Sequence, residues 1–98
     1  MEQRKARRFD LRLPFEVIRS GQRDMSQHGQ TRNLSSIGVL FEATLDHFRI
    51  GDALEYIITL PASPESRDNV RLHCLGKIVR FGKETEIAVT LERYEFVR

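Results

Sequence analysis

Leu54-Glu55-Tyr56-Ile57-Ile58-Thr59-Leu60 decides the fold class. Leu54, Tyr56, Ile58 and Leu60 fall on one side of an extended chain, and Glu55, Ile57 and Thr59 on the other. A period of two is that of a β-strand with one buried face. Pro61, Ser63, Pro64 and Glu65 end it and open a polar loop running to about Asn69.

Outward from this strand the pattern recurs. Downstream, Val70, Leu72 and Cys74 alternate with Arg71, His73 and Leu75, and Ile78 and Val79 continue the run. Gly76 inside it predicts a bulge. Phe81-Gly82-Lys83 reads as a turn, and Ile87, Val89 and Leu91 as the last alternating strand. Upstream, Leu11, Leu13, Phe15 and Val17 alternate with Arg12, Pro14, Glu16 and Ile18. Pro14 has no N–H to give a ladder, which predicts an edge strand or a bulge there. Gly21 and Gln22 offer a turn, and the polar stretch Arg23 to Arg32 gives a strand little support. Asn33-Leu34-Ser35-Ser36-Ile37-Gly38 reads as a loop, Val39 to Glu42 as a short strand, and Leu45 to Gly51 as a turn or a single helical turn. Several short strands with turns between them and no long helical period predict an all-β fold. Closing the sheet into a barrel removes exposed edges, which suits so short a chain.

Composition narrows the class. A length of 98 residues fits one domain, and 40% hydrophobic with 31% charged residues is ordinary for a globular chain rather than a disordered one. The formal net charge of +2 is too small for bulk nucleic-acid binding. Its placement says more. Arg4, Lys5, Arg7 and Arg8 concentrate positive charge in an arm, residues 1–9, ahead of a barrel over residues 10–98. Such an arm attracts phosphates. Cys74 is the only cysteine, so no intrachain disulfide forms, which suits a reducing compartment. No apolar stretch follows the basic residues as in a signal peptide, and none reaches membrane-spanning length. The expectation is a cytoplasmic protein with no membrane insertion.

Two elements then stand out together: Arg4-Lys5-Ala6-Arg7-Arg8 ahead of the first strand, and Asn33-Leu34-Ser35-Ser36-Ile37-Gly38 ahead of a later one. In this order they resemble the signature of the PilZ domain family, R-x-x-x-R in an N-terminal arm followed by D/N-x-S-x-x-G. Arg4 and Arg8 match the first motif, and Asn33, Ser35 and Gly38 the second. Arg8 and Arg12 have the same spacing, but Arg12 falls inside the alternating stretch, whereas the family's motif precedes it. The likeness continues through Gly51-Asp52-Ala53-Leu54, the strand ending at Pro61, and Gly76-Lys77-Ile78-Val79-Arg80. It implies a six-stranded antiparallel β-barrel, here with little or no C-terminal helix because the chain reaches Arg98 just after the last strand.

The resemblance implies a regulatory module that binds cyclic di-GMP as a ligand, carries no cofactor and is not an enzyme. An arginine fork can meet guanine O6 and N7 with two hydrogen bonds, and it also grips phosphate. Lys5 and Arg7 would add positive charge. Asn33 and Ser35 could reach guanine edges or phosphate oxygens, and Gly38 could supply an unusual backbone angle or a close approach to the ligand. An arm mobile when empty would close over the ligand, and the changed surface would signal to a protein partner.

Either motif alone is more often a solvated arm or a plain turn. His28, His47 and His73 show no metal-ligand spacing, and Asn33-Leu34-Ser35, a glycosylation pattern, is set aside without a secretion signal. The aromatic residues lie mostly at core phase. That ranks a barrel binding single-stranded nucleic acid, which needs exposed aromatic rings, below the receptor reading. An interaction-only PilZ domain is the other alternative.

Overall fold

The computed structural model describes residues 8–43, 48–61, 69–83 and 85–97. Seven strands are formed: β1 (Pro14–Ser20), β2 (Arg23–Leu34), β3 (Gly38–Glu42), β4 (Ala53–Leu60), β5 (Val70–Phe81), β6 (Glu86–Thr90) and β7 (Arg93–Val97). All pairings are antiparallel. The sheet runs β4-β1-β2-β3-β6-β5-β7, and a further β4–β5 pairing closes six of the strands into a barrel. The all-β class and the six-stranded barrel expected from the sequence are therefore what the chain adopts.

The interior is filled by the alternating positions. Leu54, Tyr56 and Ile58 of β4, Phe15 and Val17 of β1, Phe41 of β3 and Ile87 and Val89 of β6 are all buried. Phe15 stacks on Phe41 with ring centroids 3.8 Å apart and lies 5.0 Å from the Tyr56 ring. Each ring removes a large apolar area from water, and these three join three strands at the barrel centre. The Tyr56 hydroxyl donates to the Thr90 carbonyl at 3.0 Å, which satisfies the one polar atom of the cluster.

Glycine sets where strands can approach. A Cβ on Gly76 would lie 1.8 Å from the Thr90 carbonyl oxygen, and one on Gly29 would lie 2.0 Å from that of Glu42. Both distances are far inside contact, so only glycine allows these crossings. Gly76 is thus no bulge. It pairs with Leu54 in the unbroken β4–β5 register, and the shift against β6 falls between Ile78 and Arg80.

Three further boundaries differ from the sequence reading. The alternating stretch from Leu11 becomes strand only at Pro14, and Leu11 itself is 43% exposed. Pro14 opens β1, a position where a missing N–H is tolerated, and β1 is paired on both sides rather than at an edge. The polar stretch from Arg23 is a full strand held between β1 and β3. The last alternating run stops at Thr90, and a seventh strand follows it on β5.

Candidate functional site

The residues that directly follow the first motif meet the second motif at the end of β2. Phe9 and Leu34 form an isolated antiparallel bridge in which each backbone N–H donates to the other's carbonyl at 2.9 Å. Carried one residue each way, this register sets Arg8 across from Ser35 and Asp10 across from Asn33. Two residues on, buried Thr31 fastens the same segment from below. Its hydroxyl donates to the Leu11 carbonyl at 2.5 Å and accepts the Leu13 N–H at 2.9 Å, while its backbone N–H donates to the Leu13 carbonyl at 2.9 Å. A side chain thus does what a ladder would do, and residues 9–13 lie beside β2 without being strand.

A register shift between Thr31 and Asn33 shapes the outer surface. Thr31 pairs with buried Phe41, and Leu34 with buried Val39. Three steps separate two inward positions, so Arg32 and Asn33 both face outward in succession. This is the effect a bulge has beside a site: it re-aims side chains. Arg32 and Asn33 line one surface depression with Asp10 and Arg12. The Arg32 guanidinium is held by the Glu42 carboxylate and lies 3.8 Å from that of Glu86. Among the described residues, Arg8 and Arg12 have no carboxylate within ion-pair distance. Their charge is available to an anion.

The second motif builds its own turn. The Ser35 hydroxyl accepts the Gly38 N–H at 3.2 Å and the Ile37 N–H at 3.3 Å, and the Ser35 N–H donates to the Gly38 carbonyl at 2.9 Å. Serine side chains close turns in this way. Gly38 has no left-handed backbone; among the described glycines only Gly21 and Gly51 have positive φ. Its glycine is required instead by β6, because a Cβ there would stand 2.9 Å from the Val89 carbonyl oxygen. The close approach at Gly38 is to a neighbouring strand.

Of the residues picked from the sequence, Arg8, Asn33, Ser35 and Gly38 are gathered at this edge. Arg4, Lys5 and Arg7 lie outside the described residues. Arg12 and Asp10 are the additions. Arg12 belongs to the alternating stretch of the sequence, but β1 begins at Pro14 and Arg12 precedes it. The Arg8-x-x-x-Arg12 spacing was the signal that could have found it. Asp10 had none, because its partner Asn33 is distant in sequence.

The family model for the PilZ domain matches residues 2–97. No curated protein matches the sequence. Among solved structures, that of the Bacillus subtilis inhibitor of motility (MotI/DgrA) is similar, with a TM-score of 0.76 and 18% sequence identity. The match covers 97% of this chain and 45% of that one, so this chain spans less than half of that protein's length. At such identity the likeness concerns the fold. No described helix is long and apolar enough to cross a membrane. With a family model spanning almost every residue and the barrel that goes with it, this chain belongs to the PilZ domain family.

Proposed function

We propose that the protein is a cytoplasmic receptor module for cyclic di-GMP, which binds the ligand without transforming it and passes the signal to a protein partner. The supporting observation is the meeting of Arg12 with Asn33 in one depression, with Arg8 next to the Phe9–Leu34 bridge. Two guanidinium groups with no carboxylate partner among the described residues, those of Arg8 and Arg12, offer forks to guanine O6 and N7 or to the phosphates. Asn33 adds an amide donor and acceptor. Asp10 offers a carboxylate to the guanine N2 amino group, at a position where adenine carries no donor. In this reading the R-x-x-x-R pair is Arg8 and Arg12, while Ser35 and Gly38 hold the turn that presents Asn33. Arg4, Lys5 and Arg7 would extend the positive charge over the bound ligand.

The test is amide chemical-shift mapping during titration with cyclic di-GMP. The expected result is a saturable set of shifts centred on residues 8–13 and 31–38. Shifts absent from those segments at saturation, or centred elsewhere on the barrel, would reject the site.

A further inference from the structure

Strand β7 departs from the rest of the barrel. It is paired on one side by Arg71 to Leu75 of β5, and among the described residues nothing pairs its other side. All five of its residues are exposed. Tyr94 and Phe96 sit opposite Cys74 and Leu72, which are buried, so they lie on the core-facing side of the sheet. Yet they are 57% and 63% exposed, packed edge to face on each other with centroids 6.2 Å apart. A free backbone edge and an uncovered apolar face coincide on five residues. Open edges of this kind are templates for another strand.

The charges on β7 indicate which strand. Arg93 and Glu95 flank Tyr94 on the opposite face. In an antiparallel pairing of two copies with Tyr94 facing its own counterpart, Arg93 of each copy stands opposite Glu95 of the other. Two cross-strand ion pairs and one aromatic cluster form at once, related by a two-fold axis. The two neighbouring registers would put Glu95 against Glu95 or Arg93 against Arg93, like-charge pairs, and are disfavoured. We infer that β7 is a self-association edge, where two copies of this chain join antiparallel about Tyr94. The contact is small, so the dimer is reversible and concentration-dependent.

Crosslinking tests the edge and the register together. Tyr94→Cys and Glu95→Cys are made separately in the full chain, where the native Cys74 is fully buried. Under mild oxidation Tyr94→Cys should give a disulfide-linked dimer and Glu95→Cys should give little, because only counterparts at the axis come within bonding reach. In the Tyr94→Cys background, Arg93→Glu or Glu95→Arg alone should slow dimer capture about tenfold, and the two together should restore it. All three positions are exposed, so circular dichroism should be unchanged. Equal capture of both cysteine variants, capture of Glu95→Cys alone, or no rescue by the charge swap would overturn the proposal.

Discussion

Phe9 and Leu34 exchange both backbone hydrogen bonds at 2.9 Å, and this single bridge lines up residues 8–10 with the Asn33 turn. Residues distant in sequence become neighbours through one pair of peptide groups and one buried threonine. The consequences are measurable.

Thr31→Val keeps the shape of the side chain and removes its hydroxyl. The Leu13 N–H would lose its partner in a buried setting, and the Leu11 carbonyl in a partly buried one. The expected cost is about 1–3 kcal/mol, with faster hydrogen exchange in residues 9–13. Urea unfolding and exchange on the same variant separate the two effects.

Gly38→Ala should destabilise the barrel by about 1–3 kcal/mol, because the new Cβ meets the Val89 carbonyl with nothing flexible to yield. Gly21→Ala serves as the comparison. There the space is open and only the φ of 63° is strained, so a smaller loss of about 1 kcal/mol is expected. Urea midpoints rank the pair; Gly21→Ala as the worse of the two would refute the packing explanation.

Burial pushes the Cys74 thiol up to about 12 from an ordinary value of 9.0. Burial also raises the Tyr56 hydroxyl, helped by repulsion from Cys74 and Glu92. Both groups keep their protons in the folded state at a pH where the unfolded chain releases them. Their stabilising contribution is therefore intact below pH 9 and falls as the pH climbs from 9 toward 12. Denaturation between those values should show this decline, and Cys74→Ala should flatten part of it. A thiol reagent at neutral pH should label Cys74 only after unfolding.

Asp10→Ala should narrow the preference for guanine over adenine. If its carboxylate accepts from the guanine amino group, about 1–3 kcal/mol of discrimination between cyclic di-GMP and cyclic di-AMP should be lost. Competition binding measures that ratio directly.

What the sequence made legible was what depends on a buried face. Leu54, Tyr56 and Ile58 announced β4, and Ile87 and Val89 announced β6, because each turns alternate apolar residues to the core. β2 was hard to read because several of its inward positions, Gln27, Gly29 and buried Thr31, carry no apolar side chain, so its alternating burial is not written as an apolar period of two. It is held by its neighbours. β7 was missed for a related reason: none of its residues is buried, although Tyr94 and Phe96 keep the core-side phase. Asn33, Ser35 and Gly38 stood out by their spacing, but the structural work of Ser35 and Gly38 could not be read there. Closing a turn and clearing the Val89 carbonyl depend on where the chain folds back. Arg12 reads as strand in the sequence because side-chain hydrogen bonds from Thr31, invisible to alternation, replace strand pairing ahead of Pro14.

Calorimetric titration with cyclic di-GMP, on the wild type and on Arg12→Ala, tests the receptor reading most directly. The account predicts saturable binding by the wild type, with at least a tenfold loss for a variant that removes one charged fork and leaves the barrel intact. No heat of binding from folded wild-type protein, or equal binding by both proteins, would contradict it.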